Sequence, residues 1–306
     1  MWVIYYTIYM SINSLCDQMC EQAQYLRGYS PATIQRYRVA LKLFQRSAGV
    51  KEPRHCTPEA VRSFFYRGRS ERHWSTQTFH TYHKSLNVFF RWCIANGHLT
   101  EDPVAGIELP RLEKTLPRRL PEDQARLLLE KVLNYSWRTD FERYRNHALL
   151  ATVIWAGLRR KELLQLHVTD LDIGRHALLV RNGKGAKDRA VPMSATYAGI
   201  VKRYLEERVR AGKTCPSVFA SSSRDAGLTE QGLRHLIRSL RKVSGIAFRL
   251  HALRHTFATL MIEGGCEIFA LSRMMGHDRI TTTTGYLAAS PEHLRAQIAK
   301  HPLNFG

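Results

Sequence analysis

The chain has 306 residues, room for about two domains of roughly 150 residues each, with 44% hydrophobic and 24% charged residues, the make-up of a globular protein that buries a core. Lys and Arg number 46 against 26 Asp and Glu, a formal net charge of +20, which favours a polyanionic partner, nucleic acid ahead of an anionic membrane. The excess is not a basic tail, because residues 1–110 hold 13 Lys and Arg against 8 Asp and Glu and the remainder holds 33 against 18. Of the six cysteines only Cys16 and Cys20 lie close together, and no CxxC occurs. That spacing argues against a disulfide scaffold or a zinc ribbon and for a reducing cytosol.

The first ten residues, MWVIYYTIYM, are apolar but too few to span a bilayer and lack a basic leader region. They leave Met10 as an alternative translation start. Residues 1–24 read as an N-terminal extension. Helical signals follow. Ser30 and Pro31 open a helix with Ile34, Tyr37, Leu41 and Phe44 on one face. Thr57 and Pro58 open a second, and a third runs from about Thr76 to Asn96, stopped by Gly97. Arg62, Arg67, Arg69 and Arg72 cluster in and after the second helix as candidate phosphate contacts, although a run of this kind is equally a solvated face. Residues 25–110 thus read as a small basic helical domain. Residues 111–120 form a Pro-punctuated linker.

The second domain, 121–306, reads as mixed. NHALLATVIWAG is an apolar helix ending at Gly157, and LRRKELLQL is a short one. HALLVRNGKGAKDRAVPM alternates around a Gly-rich turn, so it predicts a β-hairpin with its tip near Gly183–Gly185. Helices are predicted over 194–211, 229–243, 251–263, 267–275 and 291–300. Between the last two lies GHDRITTTTGYLAAS, where four consecutive β-branched threonines make a poor helix interior.

Several residues in this second domain have chemistry to offer. His251 and Arg254, three apart on a helix, project from one face. The arginine offers a planar fork of donors to an anionic oxygen and the histidine can transfer a proton, although a surface pair is the commoner meaning. Arg159 follows a helix-stopping glycine, and Glu162 lies three residues on, able to orient a guanidinium or form an ordinary surface ion pair. Lys184 sits at the hairpin tip between two glycines. His277 follows Gly276, and Tyr286 comes nine residues later. A zinc site built on His251, His255 and His277 lacks acidic partners and an HExxH arrangement. A magnesium nuclease needs a carboxylate cluster that the sequence does not offer. One set of roles joins the cationic and protonatable groups. On a DNA phosphodiester as substrate, two arginines would neutralise the phosphate, a lysine would protonate the leaving oxygen, and a tyrosine would attack and hold the cut end. A tyrosine with a pKa of about 10 is scarcely ionised at neutral pH and needs a base and positive charge nearby.

In order and spacing, AGLRRKEL, GKGAKDRAVP, HALRHTFAT and MMGHDRITTTTGY resemble the signature of the tyrosine recombinases, the phage integrase and Xer-type family. The resemblance covers about residues 120–300 and extends more weakly over 25–110. It implies a mainly α fold with a small β-sheet or hairpin: a helical core-binding domain, then a mixed α+β catalytic domain. It implies site-specific cutting and rejoining of double-stranded DNA through a 3′-phosphotyrosyl link, without metal, ATP or other cofactor, for integration, excision or resolution. Carried over by motif, Arg159 and Arg254 clamp the phosphate, Lys184 is the general acid, His251 exchanges a proton with the nucleophile, His277 bonds the phosphate and Tyr286 is the nucleophile. Glu162 supports them. The expected assembly is a homotetramer, or a heterotetramer with a related recombinase, on two DNA sites in the cytoplasm at the nucleoid, with no membrane contact and a C-terminal helix passed between protomers. Lys161, Leu287 and Ala288 depart from the usual pattern, and no arm-binding domain is recognised before residue 25. A type IB topoisomerase-like or hairpin-telomere-forming enzyme, and a DNA-binding regulator that has lost catalysis, are the competing readings.

Overall fold

The computed structural model describes residues 10–112, 119–181 and 188–276. The chain divides into two compact units, residues 1–114 and 115–306.

Four α-helices are described in the first unit: α1 (Ile12–Glu21), α2 (Pro31–Ala48), α3 (Pro58–Ser70) and α4 (Thr76–Ala95). All four start on a hydroxyl cap. Ser11, Ser30, Thr57 and Ser75 each accept the backbone N–H three residues on, which satisfies a donor that has no partner within the helix. Ile34, Tyr37, Leu41 and Phe44 of α2 are buried, as their spacing predicts. They meet an aromatic core in which Phe44 packs edge-on against Phe64 at 5.3 Å and Phe90 at 5.9 Å between ring centroids. Part of the stretch 1–24, read as an N-terminal extension, packs into this unit. Ile12, Leu15, Cys16, Met19 and Cys20 of α1 lie in this same core, because their three- and four-residue spacing makes one apolar helical face.

The second unit is built around α6 (Asp140–Ala156), which packs against α5 (Glu122–Asn134), α8 (Ala195–Arg210) and α10 (Leu250–Glu263). Its apolar residues are buried on nearly every side, which explains a long hydrophobic run with little amphipathic pattern. α6 begins at Asp140 on the Thr139 cap, six residues before the predicted segment, and α5 has no counterpart in the sequence reading. Leu120, assigned to the linker, is in this core, and its N–H donates to Thr256 Oγ1 at 2.8 Å. The expected hairpin is present. β2 (Ala177–Val180) pairs antiparallel with β3 (Arg189–Pro192), Leu178 opposite Val191. A two-residue strand, β1 (Leu171–Asp172), adds to β2 and makes a three-stranded sheet. α7 (Arg160–Gln165), α9 (Glu230–Ser244) and α11 (Ile268–Met275) complete the described α-helices of this unit. The architecture is mainly α with one small sheet, and none of the described helices is long and apolar enough to cross a membrane.

Candidate active site

α6 ends at Gly157, whose φ of 59° turns the chain sharply so that α7 starts only three residues later. That turn places Arg159 at the N-cap of α7 and Glu162 in its first turn. The Arg159 backbone N–H donates to Glu162 Oε2 at 2.8 Å, and its Nη1 donates to Oε1 at 2.7 Å. The pair predicted as a possible surface contact is therefore a folded unit, with the Glu162 side chain only 5% exposed and that of Arg159 27%.

Two more guanidiniums approach Glu162 from elsewhere in the fold. Arg254 of α10, 3% exposed, lies 3.9 Å from Oε2, and its Nη1 donates to the Gly157 carbonyl. Arg189 at the start of β3, 9% exposed, makes a two-pronged contact, Nη1 to Oε1 at 2.9 Å and Nη2 to Oε2 at 2.8 Å. Burial opposes the charge on Glu162. The hydrogen bonds from Arg189 and Arg159 and the Arg189 charge outweigh it, holding the carboxyl down at about 2. Three guanidiniums around one carboxylate leave a surplus of positive charge, which suits an anion.

His251 lies in the first turn of α10, and its ring lies 4.2 Å from that of His255 in a T-shaped contact. Partial burial, then the charges of Arg254 and Arg159, push His251 below the usual histidine value. Burial and the neighbouring His251 and Arg254 take His255 down to about 4. Among the described residues no group of three His, Cys, Asp or Glu could hold a metal ion.

The structure thus brings Arg159, Glu162, His251 and Arg254 into one neighbourhood, while Lys184, His277 and Tyr286 lie outside the described residues. Sequence reasoning missed Arg189, although it stands inside the quoted motif GKGAKDRAVP. It also missed a groove beside His251 lined by Arg160, Arg234, Arg238, Arg241 and Arg249. Three of these, at 234, 238 and 241, recur at helical spacing along α9, a signal that was present in the sequence. In the first unit, Arg67 donates to the Ser47 carbonyl in the last turn of α2 and Arg69 to the Trp74 carbonyl at 2.6 Å, so these two tie the fold together. Arg62 and Arg72 are exposed.

Residues 118–293 match the phage integrase family, and residues 15–97 match the phage integrase N-terminal SAM-like domain. The chain is 30% identical to the tyrosine recombinase XerD of Listeria monocytogenes serotype 4b (strain F2365) over 90% of this chain and 94% of that one. It is also 30% identical to the tyrosine recombinase XerA of Thermococcus onnurineus (strain NA1), over 88% and 89%. In fold it resembles the XerH site-specific recombinase in a post-cleavage complex with palindromic difH substrate, at a TM-score of 0.71 and 21% identity, covering 95% of this chain and 84% of that one. It also resembles a lambda integrase tetramer bound to a Holliday junction, at a TM-score of 0.72 and 19% identity, covering 92% and 78%.

Proposed function

The chain belongs to the phage integrase family and is a tyrosine-type site-specific recombinase acting through a phosphotyrosyl intermediate, and from that premise we propose how its own residues divide the reaction. Arg159 and Arg254 take the non-bridging oxygens of one phosphodiester in double-stranded DNA. The Tyr286 hydroxyl attacks the phosphorus, passing its proton to His251. A 3′-phosphotyrosyl bond forms as the phosphorus–O5′ bond breaks, and Lys184 delivers a proton to the departing 5′-oxygen. Rejoining reverses these transfers with a new 5′-hydroxyl, so the energy of the broken bond is kept in the protein–DNA link. His277 adds a hydrogen bond to the phosphate.

The observation that carries this division is the convergence of guanidiniums on buried Glu162. They are fixed before substrate arrives, so little reorganisation is needed when charge develops on the phosphate oxygens. A His251 held below its usual value favours the neutral ring, which can accept the tyrosine proton. The arginine-lined groove beside it offers donors to neighbouring phosphates, and Arg62 and Arg72 supply further contacts from the first unit. The working assembly is a homotetramer, or a heterotetramer with a related recombinase, on two DNA sites in the cytoplasm at the nucleoid. The tetrameric part of this reading draws on the similarity in fold to a lambda integrase tetramer bound to a Holliday junction.

The test uses a pool of nicked duplexes with randomised flanks, from which the chain traps its own site. The wild type is expected to give a protein–DNA adduct that survives denaturation, and Tyr286→Phe none. A wild type that traps nothing from the pool, or a Phe variant that still traps, overturns the assignment.

A further inference from the structure

The last three carbonyls at the C-terminal end of α11 are each taken by a different arginine. Arg189 Nε donates to Met274 O, Arg254 Nη2 to Met275 O and Arg159 Nη2 to Gly276 O, all at 2.7 Å. A helix end carries partial negative charge and carbonyls without intrahelical partners, so three guanidiniums satisfy it electrostatically and by hydrogen bonding. The same three side chains surround Glu162. Arg189 differs from the other two. Its fork takes both oxygens of the carboxylate while its Nε takes the helix end, whereas Arg159 gives one Nη to each and Arg254 gives its Nη donors to the Gly157 and Met275 carbonyls. Gly276, at a φ of 62°, makes room for it, because a Cβ there would stand 3.0–3.2 Å from Arg189 Nη1, Cδ and Cζ.

We propose that Arg189 is a positioning residue for strand cleavage: it locks Glu162 against the two phosphate-binding arginines and anchors the end of α11, from which the chain continues to His277 and Tyr286. The clamp and the root of the segment carrying the nucleophile are thereby set as one unit. Arg189 does not touch the phosphate. Its contribution is to alignment of attack and not to DNA affinity. A lysine keeps the charge but has no fork to bridge the carboxylate and no second donor direction for the helix.

This inference rests on the phosphotyrosyl chemistry proposed above, and the experiment separates the two. With the duplex trapped by the wild type, single-turnover adduct formation, duplex affinity and thermal midpoint are measured for Arg189→Lys and Arg189→Ala, the latter also with methylguanidine. Both variants are expected to bind the duplex within about threefold of wild type and to cleave about a hundredfold slower, the scale of loss for an ångström of misalignment. Methylguanidine is expected to restore cleavage to Arg189→Ala saturably and to leave Arg189→Lys unchanged. Arg189→Lys cleaving at the wild-type rate overturns the inference and leaves the chemistry intact. So does a loss of cleavage that only parallels lost affinity or folding, or an Ala variant that the guanidine does not rescue. A wild type that forms no adduct overturns the chemistry itself.

Discussion

Glu162 shows how one carboxylate can organise a cationic site. Its charge is costly to bury alone and is held by Arg189, Arg159 and Arg254. Its folded value of about 2 lies below the ordinary 4.5, so its contribution to stability is fully present above about pH 4.5 and is lost as pH falls toward 2. The histidines act in another window. Burial takes His147 and His255 to about 4 from an ordinary 6.5, so the unfolded chain takes up protons first and stability falls between those two values. Thermal unfolding followed from pH 7 to 2 should therefore show both losses in the wild type. Glu162→Gln is expected to lower stability by about 3–5 kcal/mol at neutral pH, the cost of breaking a buried pair. It should also flatten the acid limb below 4.5 while keeping the loss between 6.5 and 4. An unchanged acid limb would show that Glu162 does not titrate with folding.

At the scale of elements, the turn between α6 and α7 sets the arginine cluster around Glu162. Gly157 adopts a left-handed conformation, and a Cβ there would meet Phe257 Cδ1 at 2.3 Å. Its carbonyl also accepts from Arg254. Gly157→Ala should cost more than the roughly 1–2 kcal/mol of a left-handed residue with a Cβ, because the Phe257 ring must also move. A lowered urea midpoint with adduct formation reduced beyond any loss of duplex binding is the expected result, and a wild-type midpoint would count against this account of the turn. Much of this was readable locally. The hydroxyl caps, the prolines at first helical positions and the glycine stop at 157 all depend on residues within a turn of one another. α5 was also readable, with Glu122 and Asp123 in its first turn and Ala125, Leu128, Leu129 and Val132 on one face, but the proline before it read as linker. α6 was harder to delimit, because a helix buried on all sides has no polar face to mark its period.

Across the whole molecule, the +20 charge and the arginines lining the groove between α9 and α10 predict that phosphate contact carries a large share of DNA affinity. Affinity should fall linearly with salt on logarithmic axes. Replacing Arg234, Arg238 and Arg241 with alanine should weaken binding to all duplexes alike and reduce the slope by about one for each phosphate contact removed. Fluorescence anisotropy at several salt concentrations reads both. An unchanged slope would show that these arginines face solvent only. The two units have separate cores, the first dominated by aromatic rings and the second by aliphatic side chains around α6. That division agrees with the separate family matches over residues 15–97 and 118–293.

What the sequence determined by itself was the kind of chemistry: a strongly cationic chain, local helix and hairpin signals, and Arg159, Lys184, His251, Arg254, His277 and Tyr286 in family order. Each of those readings uses neighbours a few residues apart or an ordered set of motifs. Only the tertiary structure decided that Glu162 is buried and not a surface partner, that Arg67 and Arg69 brace the first unit, and that Arg189 belongs to the site. Arg189 reaches Glu162 across 27 positions and Met274 across 85. No local period encodes such contacts. They arise because the α6 turn, the start of β3 and the end of α11 meet in the second unit, α11 packing on α10 through Phe257, Ile262, Leu271 and Met275, where a buried carboxylate and three orphan carbonyls must find donors.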